Sequence, residues 1–133
     1  MSDTQSKKPV VLLVDDDDFL VNMYTTKFQN VGFEVAAAGS ASAALQKLRD
    51  GLMPDVLLVD IVMPAMDGIE FVKRVRAEKL AEKAACIFLT NQGQPSEIER
   101  AKEAGTDGYI VKASTIPSEV VAAVTRILSK KSK

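Results

Sequence analysis

Residues 55–60 read Asp-Val-Leu-Leu-Val-Asp, and the chain then turns through Pro64 and Gly68. A continuous apolar run this short predicts a strand covered on both faces, the pattern of a parallel sheet. Its last residue, Asp60, would emerge at the strand's carboxyl end, where open α/β sheets place their chemistry. Asp60 is therefore the first candidate for the residue on which the function acts.

The same grammar recurs along the chain. Val10–Val14 (VVLLV) predicts a first strand, ended by the run Asp15-Asp16-Asp17-Asp18. Leu20, Tyr24, Phe28 and Val31 then fall at helical spacing, with Asp17 and Asp18 placed to cap the start and Gly32 to end the helix. Residues 33–38 predict a weaker second strand. Ser40 caps a helix with Ala41, Ala44, Leu45 and Leu48 on its apolar face. Ile69, Val72 and Val75 mark a third helix. Residues 85–89 form another buried run, ending on Thr90. Behind Pro95, Ser96 and Glu99 have capping-box spacing at the start of a fourth helix. Tyr109-Ile110-Val111 predicts the fifth strand, ending on Lys112, and Pro117 opens a last helix carrying Val120, Val121, Val124, Ile127 and Leu128.

Five strands alternating with five helices make an α/β chain of (βα)5 type. The expectation is a doubly wound, five-stranded parallel sheet with right-handed crossovers and helices on both faces. For flavodoxin-like folds of this kind the strand order is 2-1-3-4-5, with the ligand crevice between strands 1 and 3. The chain divides into a flexible segment at residues 1–9, one domain at 10–129 and a polar end at 130–133.

Composition removes whole classes of chemistry. The 133 residues contain no histidine, so Ser-His-Asp and Cys-His nucleophile systems and histidine-based zinc sites are excluded. The single cysteine, Cys86, sits in an apolar run and reads as a small buried hydrophobe. A formal net charge of −1 advertises no direct nucleic-acid contact. No apolar run approaches the roughly 20 residues of a membrane span, so a cytoplasmic chain without membrane insertion is expected.

With every strand's carboxyl end at one edge, Asp15 and Asp16, Asp60, Thr90 and Lys112 converge. Like charges at close range destabilise one another unless neutralised. An open, all-oxygen site suits Mg²⁺, which binds through one or two carboxylates, waters and a phosphate oxygen. A carboxylate beside it can attack phosphorus and form an aspartyl phosphate. Lys112 and the Thr90 hydroxyl would then meet the charge on the phosphoryl oxygens.

The chain resembles the receiver domain of two-component response regulators, of the chemotaxis-regulator type, over roughly residues 10–128. The motifs that carry the resemblance are LLVDDDD at 12–18, DVLLVDIVMPAMDGIEF at 55–71, FLT at 88–90 and DGYIVK at 107–112. It implies that Asp60 is the phosphoacceptor, and that Asp15, Asp16, Asp60 and the backbone carbonyl of Val62 hold Mg²⁺. Thr90 would be the switch hydroxyl, Lys112 the phosphate-contacting lysine and Tyr109 the aromatic that moves with Thr90. The implied function is a phosphorylation-dependent signalling switch rather than an enzyme. Its only catalysis would be self-catalysed transfer to Asp60 and hydrolysis of that phosphate. A sensor histidine kinase or phosphotransfer protein would be the donor. A downstream protein would read the face of the fourth helix, fifth strand and fifth helix, and homodimerisation on phosphorylation stays open.

Two departures from the family pattern stand out. Ala113 follows Lys112 where the family usually has proline, often behind a cis bond; for a non-proline residue that form costs about 2.5–4 kcal/mol. Val62 and Gln92 occupy variable positions that influence the hydrolysing water, and an apolar Val62 should prolong the phosphoryl group.

The main alternative is a receiver-like interaction module that is not phosphorylated. A haloacid-dehalogenase-type phosphatase would use Asp15-x-Asp17, but Phe19 breaks its motif and no later acidic pair follows Lys112. An EF-hand loop counted from Asp15 fails because Leu20 stands where glycine is needed.

Overall fold

Both faces of the strands are apolar, so the sheet must be covered twice. The computed structural model, which describes residues 8–90, 95–112 and 115–131, shows how this is met. In chain order the elements are β1 (Val10–Val14), α1 (Asp18–Asn30), β2 (Glu34–Ala38), α2 (Ala41–Arg49) and β3 (Val56–Asp60). They continue with α3 (Gly68–Ala77), β4 (Ala85–Thr90), α4 (Pro95–Glu103), β5 (Gly108–Val111) and α5 (Pro117–Lys131). The sheet is parallel in the order β2-β1-β3-β4-β5, as expected for the flavodoxin-like arrangement.

Alternate residues of each strand feed separate cores. Leu12, Val14, Leu57, Val59, Cys86 and Phe88 pack against α2 and α3, with Ala101 of α4 on the same side. Val11, Leu13, Val56, Leu58, Ile87 and Leu89 pack against Tyr24 and Phe28 of α1 and Val120, Val121 and Val124 of α5. Cys86 is fully buried, as its apolar setting suggested. Among the described residues no helix is long and apolar enough to cross a membrane.

Several local expectations are refined. Asp17 alone caps α1, its carboxylate accepting from the Phe19 and Leu20 N–H groups, while Asp18 is the first helical residue. Val31 is the C-cap of that helix and is exposed, so the apolar spacing ran one step beyond the face it describes. Ser40 accepts from the Ala43 N–H, as its position implied. Ser96 does not cap α4: the helix already begins at Pro95, which places Ser96 inside its first turn. α5 continues through Lys131, past the domain end expected at residue 129. Of the expected flexible segment, residues 1–7 lie outside the described residues, as do Gln92 and Ala113 with its peptide bond. Pro9, within that segment, is tied to the sheet, its carbonyl accepting from the Glu34 N–H.

The connection from β3 to α3 is set by close packing. Gly68 opens the helix, and its N–H donates to the Ile61 carbonyl at 2.8 Å. Asp67 and Glu70 form a reciprocal capping box around it. A Cβ on Gly68 would stand 2.2 Å from the Asp60 carbonyl oxygen and 2.9 Å from Val59 Cγ1. Only glycine lets α3 start this close to the end of β3.

Gly68→Ala should therefore cost about 2–3 kcal/mol of stability, read as a lower urea midpoint. Gly39→Ala, whose Cβ would meet nothing within 4 Å, is the matched control and should move the midpoint far less. Equal effects of the two substitutions would remove the packing explanation.

Candidate functional site

The buried strands deliver polar groups to one edge only. β1 ends at Val14, and the next backbone N–H, that of Asp15, still donates to the Ala38 carbonyl of β2 at 3.1 Å. That bond holds Asp15 in register, and its carboxyl group is fully buried. Asp15 Oδ1 accepts from the Asp17 N–H at 3.0 Å, and Oδ2 accepts from Lys112 Nζ at 3.0 Å. Asp60, the last residue of β3, is also buried, and its Oδ1 lies 3.6 Å from the same ammonium. Asp16 is exposed at the rim. One carboxylate oxygen from each of Asp15, Asp16 and Asp60 lies within 4.8 Å of the others.

Burial decides the electrostatics. It pushes the Asp60 carboxyl from 3.8 up to about 6, against the pull of Lys112, with Asp15 and Asp16 raising it further and a backbone hydrogen bond from Val62 lowering it. Burial alone would lower the Lys112 ammonium, but the hydrogen bond to Asp15 and the charges of Asp60 and Asp15 outweigh it and raise it. Two buried carboxylates thus share one lysine and Asp16 adds a third at the rim, which leaves negative charge uncompensated at the mouth. The donor set is all oxygen and open on the Asp16 side, which fits a hard divalent cation such as Mg²⁺. Asp15, Asp16 and Asp60 are the side chains that would hold it.

The other expected residues occupy adjoining positions. Thr90 ends β4, one residue beyond Leu89, which pairs with Asp60, and it is 1% exposed. Its hydroxyl donates to Glu97 Oε1 at 3.0 Å, and the Tyr109 hydroxyl lies 3.5 Å from the same oxygen. Burial raises the Tyr109 phenol, the Glu97 charge raises it further, and a hydrogen bond with Thr90 opposes both. Val62 is 62% exposed at the rim, while its backbone supports Asp60. Glu97 is the residue that sequence reasoning missed. Nothing in its spacing marks it, because its role depends on where α4 sits relative to the ends of β4 and β5.

Comparison with known proteins follows the same outline. A family model described as the response regulator receiver domain matches residues 11–125. The DNA-binding response regulator MtrA of Mycolicibacterium smegmatis is 34% identical over 114 residues, covering 86% of this chain and 48% of that protein. The chemotaxis protein CheY of Halobacterium salinarum is 34% identical over 119 residues, covering 90% of this chain and 96% of that one. Among solved structures, chemotaxis protein CheY4 of Vibrio cholerae superposes with a TM-score of 0.84 at 30% identity, covering 91% of this chain and 99% of that one. The chain spans about half the length of the MtrA proteins it matches.

The raised Asp60 carboxyl predicts the pH dependence of the metal-free protein. The unfolded chain releases this proton near 3.8 and the folded chain near 6, so between those values the folded state binds more protons. Stability should therefore fall as pH rises through that window, by on the order of 3 kcal/mol. In EDTA, Asp60→Asn should be more stable than wild type above pH 7 and lose that advantage near pH 4. Parallel pH profiles of urea unfolding for the two proteins would contradict the assignment.

Proposed function

The chain belongs to the response regulator receiver family, and on that premise we propose that it is a signalling switch operated by phosphorylation of Asp60. The observation that carries the reading is the Lys112 ammonium lying 3.0 Å from Asp15 and 3.6 Å from Asp60 at the carboxyl edge of the sheet. A phosphoryl group on Asp60 would enter a position already faced by a buried cation. In this reading an Asp60 oxygen attacks phosphorus of a phosphohistidine on a kinase or phosphotransfer protein. The O–P bond forms, the P–N bond breaks, and the imidazole leaves with its donor.

Lys112 then exchanges part of its contact with the carboxylates for a phosphoryl oxygen, and the Thr90 hydroxyl supplies a hydrogen bond to another. Asp15, Asp16, Asp60 and the Val62 carbonyl are the proposed ligands of Mg²⁺, which when bound neutralises charge on the transferring group. Hydrolysis returns the carboxylate, so the chemistry resets the switch and the output is binding. Movement of Thr90 toward the phosphoryl group carries Tyr109 and α4 with it and remodels the face formed by α4, β5 and α5. A downstream protein, or a second copy of the chain, would bind there in a cytoplasmic setting. The name of MtrA speaks of DNA binding by that protein; for this chain, with a net charge of −1, we propose protein contacts only.

Two measurements test this reading. Incubation with acetyl phosphate and Mg²⁺ should add one phosphoryl group to the intact mass, and Asp60→Asn should abolish the gain. No gain in wild type would favour an interaction module that is never phosphorylated. The exposed apolar Val62 should also slow the hydrolysing water. Val62→Asn is expected to shorten the phosphoryl lifetime, and equal decay in both proteins would overturn that role.

A further inference from the structure

α4 differs from the other helices in how it is held. Ala101 is its buried residue within the described chain, whereas α2 buries four and α3 five. Polar contacts do more of the anchoring. Arg100 Nη2 reaches Asp67 Oδ2, at the cap of α3, at 3.1 Å. Glu97, in the first turn of α4, accepts from Thr90 at 3.0 Å and faces the Tyr109 hydroxyl at 3.5 Å. One carboxylate oxygen therefore collects the two hydroxyl groups expected to move on phosphorylation.

We propose that Glu97 is a positioning residue that holds Thr90, Tyr109 and the start of α4 in the unphosphorylated arrangement and competes with the phosphoryl group for the Thr90 hydroxyl. The proposal rests on the reading of Asp60 as the phosphoacceptor. Thr90 has one O–H to donate. While that proton points to the Glu97 carboxylate, it is not donated to an oxygen beside Asp60. A charged acceptor makes a stronger hydrogen bond than a neutral one, so Glu97 biases the resting state more than an amide could. Release of Thr90 removes one of the polar ties of a lightly anchored helix and the hydrogen bond Thr90 shares with Tyr109. Glu97 thereby couples the chemistry at Asp60 to the position of α4 without touching the phosphoryl group.

The test is a double-mutant cycle on the full chain, with acetyl phosphate and Mg²⁺ and the phosphorylated fraction followed by intact mass. Because the bond removed is one to a charged acceptor, Glu97→Ala should phosphorylate about ten- to a hundredfold faster than wild type. Glu97→Gln, which keeps an acceptor oxygen but loses the charge, should fall between the two. In a Thr90→Ala background the acceleration should vanish, because Glu97 acts through the Thr90 hydroxyl. Acceleration that persists without Thr90 would mean a general effect of charge on an anionic donor and would overturn the proposal. A wild-type chain that gains no mass sinks the phosphoacceptor reading and this proposal together. A wild type that gains mass at the same rate as Glu97→Ala sinks this proposal alone. In the unphosphorylated protein, Glu97→Ala should also shift the ring signals of Tyr109, identified against Tyr24→Phe; unmoved signals would count against the contact.

Discussion

The contact on which the rest depends is the one between Lys112 and the buried carboxylates of Asp15 and Asp60. Two acidic groups at the end of a double-sided hydrophobic sheet pay a large desolvation cost, and their repulsion adds to it. One ammonium between them makes the arrangement tolerable without cancelling it, and Asp60 keeps a carboxyl shifted up to about 6. The site is thus built short of positive charge. That deficit makes a divalent cation welcome, and it explains why the strands beneath must be so thoroughly apolar: the packing of β1 and β3 has to hold the acids in place.

Strand order makes this contact possible and also demanding. β5 is separated from β3 by β4, so about 10 Å of sheet lies between them at ordinary strand spacing. A short side chain at position 112 could not span that gap, whereas a lysine stem can cross the end of β4 and deliver a compact charge. Thr90 sits on the strand being crossed, which places its hydroxyl between the acid cluster on one side and Tyr109 on the other. The topology therefore lines up Asp15 and Asp16, Asp60, the Thr90 hydroxyl and Lys112 in the order of the strands that carry them.

The architecture was legible because buried strands leave an unmistakable pattern: 10–14, 56–59 and 85–89 are too short and too uniformly apolar to be anything else in a chain of this kind. The strand-end residues were legible for the same reason, since each stands where a hydrophobic run stops. What depends on contacts between elements was not. Val31 continued a helical spacing past the last helical residue, Asn30. Ser96 had the right neighbour at 99 but the wrong place in the helix. Gly68 reads as one more turn glycine until the Asp60 carbonyl is seen 2.2 Å from where its Cβ would be. Glu97 is invisible for a deeper reason, because a carboxylate on the polar side of a short helix is the commonest thing in a sequence.

Glu97 also bears on how far such a switch can move. A hydrogen bond to a charged group contributes about 1.5–3 kcal/mol, whereas moving a population from one in a hundred to ninety-nine in a hundred takes about 5.5 kcal/mol. Loss of the Glu97 contact alone would leave a mixed population. A near-complete transition needs gains made only in the phosphorylated state, and in the proposed mechanism Lys112 and Thr90 are the two groups that would make them. Lys112 already has carboxylate partners at rest, so its gain is a difference between two ion pairs. Thr90 exchanges one charged acceptor for another, so its gain is a difference as well. On the proposed reading, two such differences opposed by one latch would make a switch held near balance, with a helix of few buried side chains as the element that responds.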